Sequence, residues 1–197
     1  MKTSNNFSQD YKKIKDFYPL KLRGNVKELG WGSNFSQIKR FIVIKEIIQS
    51  YNLKSYSILD VGCGYGDLFD FISPTRYLGI DIREDAIKLA INKNRPCDFI
   101  NTTINTIDEK FTFCVASGIF CHNTENWEEY TKYTISEMKK RSSIVITNFL
   151  IQGGLEKSEM KYIDKNKLSD ILGEHKTISG YLQNDITVII NGSHRDI

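Results

Sequence analysis

No stretch of the 197 residues is apolar for long enough to cross a bilayer, and the start, MKTSNNFSQDYKK, is polar where a secretory leader needs an apolar segment. The expected location is therefore the cytoplasm, without a membrane partner. The four cysteines, Cys63, Cys97, Cys114 and Cys121, show no CxxC pair and no Cys/His ligand spacing, so they read as reduced thiols and no metal site is expected. Also missing is an excess of one charge over the body of the chain. Residues 1–30 hold seven Lys/Arg against three Asp/Glu, and the other 167 residues hold 20 against 21. A broad basic surface for a nucleic-acid backbone would show as clustered charge, so no nucleic-acid partner is expected. The basic N-terminal arm suits a small anion, or is simply a solvated terminus. The length allows one domain with a continuous core.

Short β-branched runs alternate with helical patterns through most of the sequence. Residues 57–61, 76–80, 98–101, 112–116 and 143–148 read as strands, and all but the third are apolar enough to be buried parallel strands. Helices are expected near 67–72, 84–92 and 126–140, with another over 37–49 that offers Ile38, Phe41, Ile44 and Ile48 to the sheet. The 126–140 helix has Thr124 or Asn126 as cap, Glu128 and Glu129 in its first turn, and Lys139, Lys140 and Arg141 at its end, as the helix dipole favours. Its stripe of Trp127, Tyr130, Thr134 and Met138 reads as core. A short helix near 164–172 and β-like runs near 177–181 and 185–190 complete the order. The alternation predicts an α/β fold with a doubly wound, mostly parallel sheet, the last pair adding an antiparallel strand at the edge. In such sheets ligands sit beyond the carboxyl ends of the strands, where strand order reverses.

The stretch LDVGCGYGD, residues 59–67, follows the first strand. A dinucleotide loop of the form GxGxxG would need a glycine at 67, where Asp67 stands; the spacing here is GxGxG, through Gly62, Gly64 and Gly66. Asp67 near a helix start would repel a pyrophosphate, so an uncharged or zwitterionic group fits this loop better. Asp60 ends the first strand, where a carboxylate can hold an ammonium, and Asp81 ends the second, 21 residues later, where it can accept from both hydroxyls of a ribose. A ligand with an amino acid at one end and a nucleoside at the other matches both, and S-adenosylmethionine (SAM) is such a ligand.

SILDVGCGYGDL followed by YLGIDIREDAIKLA resembles the first two motifs of class I SAM-dependent methyltransferases, a likeness that runs from residue 57 to about 190. It implies a Rossmann-like class I fold with a mostly parallel seven-stranded sheet and helices on both faces, in a single domain over 1–197: an arm or lid at 1–35 and the core at 36–197. It implies SAM as cofactor and S-adenosylhomocysteine (SAH) as product. Asp60, Gly62, Gly64 and Gly66 would line the methionine moiety, with Asp60 reaching its amino group directly or through water. Asp81 would take the ribose hydroxyls and Ile82 would pack on the adenine. The family's third motif usually presents an acidic residue to the adenine; here CDFINTTI offers Asn101 or Thr102.

After the fourth strand, VASGIFCHNTENW falls where the family's fourth motif passes beneath the sulfonium. Ser117 and Gly118 would approach the cofactor through backbone, while Ile119 and Phe120 would wall the substrate pocket. The ASGIF segment, with LGWGSNFSQIKRF upstream, resembles a group of short bacterial methyltransferases in which the upstream segment folds over the cofactor. Gln37 and Arg40 share one helix face, so Arg40 would pair with the methionine carboxylate or else be a solvent-facing charge. Trp31, between Gly30 and Gly32, would close over the site or act as a hydrophobic staple. His122 is the candidate general base, with a near-neutral intrinsic pKa, or a polar loop residue. Tyr162 and Tyr181 are further pocket candidates. No Asn-Pro-Pro-Tyr motif follows the fourth strand, and there is no RNA-binding appendage and no metal set; resemblance to this group of short enzymes implies a small molecule or a cell-surface glycan precursor as acceptor. The resemblance favours O-methylation of a sugar-like or phosphate-like group of a bacterial surface (capsular) polysaccharide precursor, by a monomer or homodimer. The alternatives are an RNA methyltransferase and a SAM-binding protein without catalysis.

Overall fold

The computed structural model describes residues 7–30, 33–153 and 156–193. Eight strands form one sheet: β1 (Ser57–Val61), β2 (Arg76–Asp81), β3 (Asp98–Asn101), β4 (Phe111–Ala116), β5 (Ser142–Ile151), β6 (Tyr162–Ile163), β7 (Lys176–Ser179) and β8 (Asp185–Asn191). Their order is β3-β2-β1-β4-β5-β8-β7. The pairs from β3 to β5 are parallel, and β8 runs antiparallel to both β5 and β7. The eighth strand, beyond the seven expected, is β6, a two-residue parallel addition to the end of β5. The order reverses between β1 and β4, so the crevice for a ligand opens above the ends of those two strands.

Side-chain alternation along the strands divides the core in two. Leu59 and Val61 of β1 join Leu78 and Ile80 of β2 on one face. They pack there with α1 (Ser8–Phe17), α4 (Trp127–Arg141) and α5 (Leu168–Leu172) through Ile14, Trp127, Tyr130, Met138 and Leu168. Ile58, Phe113 and Ile146 point the other way, against α2 (Asn34–Ser50) and α3 (Glu84–Ile91) through Phe41, Ile44, Ile48 and Ile87. β3 and β7 are the edges, which is why β3 buries only Phe99 and β7 buries none of its residues.

Three expectations change. Helix α2 starts at Asn34, where Ser33 caps it in a reciprocal pair with Ser36, and its Ile38 faces solvent while Phe41, Ile44 and Ile48 face the sheet. The expected helix near 67–72 is a 3-10 turn, Asp67–Phe71, closed by extended backbone at Ile72. The cap of α4 comes from neither Thr124 nor Asn126 but from the arm. Buried Asp10 of α1 accepts the backbone N–H of Asn126 through Oδ1 (3.1 Å) and its side-chain amide through Oδ2 (3.2 Å). A carboxylate there satisfies an orphan donor and lies at the positive end of the helix dipole. With Phe7 and Tyr11 stacked edge-on against Tyr130, the described part of the arm is docked onto the core.

All four cysteines are free thiols. No helix among the described residues is long and apolar enough to cross a membrane, and no cluster of His, Cys, Asp and Glu among them could hold a metal.

Candidate active site

The glycine loop is bent so that Gly62 and Cys63 both donate their N–H groups to the Ile80 carbonyl, at 2.8 and 3.0 Å. Gly62 and Gly64 have φ of +72° and +55°, which favours glycine, and space forbids anything larger. A Cβ on Gly62 would overlap Ile119 Cγ2, and one on Gly64 would lie 2.7 Å from Leu29 Cδ1. The loop therefore forms the floor of a crevice, flanked by side chains from the segment after β4 and from the arm.

Over this floor lies a cavity of about 360 Å³, a size that accommodates small-molecule ligands. One half is walled by Asp60, Gly62, Gly64, Asp81, Ile82, Thr102, Thr103 and Ile104. Asp60 is buried, and Tyr77 donates its hydroxyl to Oδ2 at 2.5 Å. Burial pushes the Asp60 carboxyl up to about 7, against the pull of that hydrogen bond. Asp81 accepts the N–H of Gly64 through Oδ2 (2.9 Å) and that of Arg83 through Oδ1 (2.8 Å). One carboxylate thus ties the two glycine-loop and post-β2 backbones together, while burial holds its pKa above the ordinary value.

The other half is walled by the arm, through Tyr11, Ile14 and Tyr18, by Ser117, Ile119 and His122 after β4, and by Arg40, Met160, Tyr162 and Asp185. His122 is buried, and its Nε2 shares a 2.8 Å hydrogen bond with Tyr18 Oη. Among the described residues its Nδ1 has no hydrogen-bond partner, as is true of the Ser117 hydroxyl. Burial lowers the His122 pKa to about 4, so the near-neutral value expected from sequence is corrected: the ring is uncharged at pH 7.

Of the residues expected to form the site, Arg40, Asp60, Gly62, Gly64, Asp81, Ile82, Thr102, Ser117, Gly118, Ile119, His122 and Tyr162 line this one cavity. Gly66 does not: it is packed against the Phe99 ring on the outer side of the loop. Asn101 is exposed and donates its amide to the Asp81 carbonyl (2.8 Å), which leaves Thr102 on the cavity wall. Phe120 is core, its ring stacked 5.2 Å from that of Phe149. Tyr181 donates to Asp185 Oδ1 at 2.6 Å and does not line the cavity. Trp31 lies outside the described residues.

Two assignments change in kind. Arg40 does line the cavity, but its Nε (2.6 Å) and Nη2 are engaged by Asp185 Oδ2, so its fork is taken by a buried protein carboxylate. Gly118 has both backbone groups occupied: its N–H goes to Asn148 Oδ1 (3.0 Å) and its carbonyl accepts from the Cys121 thiol (2.6 Å). Tyr18, Arg83, Asn148 and Asp185 were not anticipated. Tyr18 meets a partner 104 residues away and Asp185 one 145 residues away, and no local pattern announces such pairs.

The sheet, its switch point and a bent glycine loop facing two strand-end aspartates constitute the Rossmann-like methyltransferase fold. Solved methyltransferases with bound SAM or SAH share this fold. The family described as "Methyltransferase domain" matches residues 58–140. A curated protein of Mycobacterium tuberculosis, Rv1506c, named provisionally as a methyltransferase, is 38% identical over 72 residues, covering 33% of this chain and 42% of its own length. The chain thus spans less than half of that relative. The structure resembles magnesium protoporphyrin IX methyltransferase from Synechocystis PCC 6803 with bound SAH, with a TM-score of 0.64 over 96% of this chain and 97% of that one at 14% identity. It also resembles the plantazolicin methyltransferase BpumL with SAH (TM-score 0.62, 14% identity, 81% of this chain and 85% of that one) and the bifunctional kinase-methyltransferase WbdD (TM-score 0.61, 16%, 95% and 47%). At these identities the likeness establishes the fold.

A pH test follows from Asp60. Its contribution to the stability of the ligand-free protein is complete below the ordinary carboxyl value of 3.8 and is lost as the pH rises through about 7, because the folded state holds the proton longer. An ammonium arriving at Asp60 needs the ionised form. SAH binding at pH 6 is therefore expected to release close to one proton, and at pH 8 close to none, read by calorimetry in buffers of different ionisation enthalpy. Zero release at both pH values would remove Asp60 from the ammonium site.

Proposed function

We propose that this chain is a SAM-dependent methyltransferase acting on a hydroxyl of a small molecule. The observation that carries the reading is one cavity with Asp60, the glycine floor and Asp81 on one wall and the Tyr18–His122 pair on the other. The donor set fits the cofactor: a buried carboxyl for an ammonium, a second for a ribose diol, Ile82 and Ile104 for a flat base, and glycines whose lack of a Cβ lets Ile119 and Leu29 close against the floor.

When bound, SAM supplies a methyl group on a sulfonium that leaves as a neutral thioether and needs no protonation. The chain's work is then to align the acceptor oxygen with the methyl and sulfur and to exclude water. Ile119, packed on Gly62, and the apolar arm residue Ile14 keep the cavity dry. Tyr18, whose phenol burial holds well above its ordinary pKa, stays protonated and fixes the imidazole of His122. The neutral ring of His122, its Nε2–H donated to Tyr18 Oη, offers the Nδ1 lone pair to orient the acceptor hydroxyl and receive its proton. With its pKa near 4 it is a weak base, and orientation is its larger contribution.

An acceptor of sugar or phosphate type from a surface-polysaccharide precursor rests on the sequence resemblance to the ASGIF group. A small acceptor is also supported by two neighbours named for magnesium protoporphyrin IX and plantazolicin. On the same reading the enzyme is cytoplasmic. The test is methyl transfer from labelled SAM to a panel of hydroxylated small molecules, with transfer RNA as the competing substrate. His122→Ala is expected to lower turnover about 100-fold or more while leaving SAH affinity nearly intact. Labelled RNA with no labelled small molecule would reverse the assignment, and wild-type turnover in the variant would remove His122 from the chemistry.

A further inference from the structure

The arm crosses the cavity as a strap whose two ends and middle are held differently. Its first end is fixed to α4 through Asp10 and the Phe7 and Tyr11 rings. Its last end is fixed to the glycine loop. There Glu28 accepts from Tyr65 Oη (3.1 Å) and from the backbone of Arg23 and Asn25, and Leu29 sits against Gly64. Between them, residues 19–24 bury one side chain, Leu22, in a small cluster with Tyr65 and Ala86, while Leu20 is fully exposed. So little burial makes this the part of the strap with least local stability.

Two charged side chains, Arg83 and Asp85, tie the middle to the body of the protein. Arg83 donates Nη1 to the Lys15 carbonyl (3.2 Å) and Nη2 to the Pro19 carbonyl (2.9 Å), at the end of α1, and its guanidinium lies over the Tyr18 ring, 5.8 Å from the centroid. Asp85 holds the same guanidinium through two bonds, at 2.8 and 2.5 Å, and also accepts the Leu22 N–H (3.2 Å). Arg83 is two residues beyond Asp81, and its own N–H is bonded to Asp81 Oδ1. The carboxylate proposed to take the ribose hydroxyls therefore grips the backbone of the residue whose side chain closes the strap.

We propose that Arg83 is a positioning residue: it clasps the strap of residues 7–30 over the cavity, and release of this clasp is the gate through which the cofactor enters and SAH leaves. The inference rests on the SAM-binding reading above. Ligand hydroxyls on Asp81 steady the loop that carries Arg83, so cofactor binding tightens the clasp. The same closure brings Tyr18 to His122, so the acceptor half of the site is completed after the cofactor half is filled.

The experiment measures SAH association and dissociation by surface plasmon resonance, with hydrogen exchange of residues 8–22, in the full chain and in Arg83→Met and Asp85→Asn. In the wild type, SAH is expected to slow exchange across 8–22. In Arg83→Met both rate constants rise, dissociation by about tenfold or more, and the protection of 8–22 is lost. Asp85→Asn, which keeps Arg83 but removes its charged partner, gives a smaller change in the same direction and stands in should Arg83→Met fail to fold. Rates within twofold of wild type in both variants, or exchange across 8–22 that SAH leaves unchanged, would overturn the clasp. If the wild type binds no SAH, the cofactor reading fails instead, and ligand-free exchange of 8–22 in the variants still decides whether Arg83 holds the strap.

Discussion

Arg40→Met is expected to lower the free energy of unfolding by about 3–5 kcal/mol, the range for removing one partner of a buried ion pair. Arg40 and Asp185 are both buried, and Asp185 Oδ2 takes the Arg40 Nε and Nη2. Methionine fills the volume of the arginine stem but leaves the carboxylate without its cation. The neighbours of Asp185 carry the damage towards the site. Oδ1 accepts from Tyr181 and from the Asn148 amide (3.3 Å), and Asn148 in turn holds the Gly118 N–H. Urea unfolding checks the number, and the double variant Arg40→Met/Asp185→Asn is expected to recover most of it, since the uncompensated charge disappears. A loss below 1 kcal/mol in the single variant would mean that water reaches Asp185 in the folded protein.

Asp81→Ala is expected to weaken SAH binding by about 1–3 kcal/mol, roughly five- to 150-fold. Two effects combine. The ribose hydroxyls lose their acceptor, and the N–H groups of Gly64 and Arg83 lose theirs, so the glycine floor and the strap clasp loosen together. Asn101→Ala serves as the contrast, because Asn101 is exposed and off the cavity wall, and its affinity should stay within about twofold of wild type. Calorimetric titration of both variants decides the matter: equal affinities in wild type and Asp81→Ala would take Asp81 out of the site.

Much of this architecture is legible along the chain because its signals are local. Strand β1 alternates Ile58 and Leu59 between two faces, and the structure buries both, on opposite sides of the sheet. The spacing of Gly62 and Gly64 announced a bend, and both sit at positive φ with neighbours where a side chain would be. Gly66 shows the limit of such reasoning. Its φ of +69° is as special as theirs, yet the space it keeps free belongs to Phe99 and not to the cavity. Phe120 shows the same limit, since its place in the chain pointed to the pocket and its stacking on Phe149 put it in the core.

The sequence by itself determined the order of the main strands and helices beyond the arm, the bend after β1 and the two strand-end aspartates, because each depends on periodicity, backbone conformation or capping within a few residues. Only the tertiary structure decided what the side chains of the site do. Arg40 went to Asp185, His122 to Tyr18 and a lowered pKa, Asp10 to the start of α4, and Arg83 to the end of α1. Charge and hydrogen-bonding capacity are written in the residue types, but the partner that saturates them is the one that folding brings within 3 Å, and burial then sets which protonation state survives.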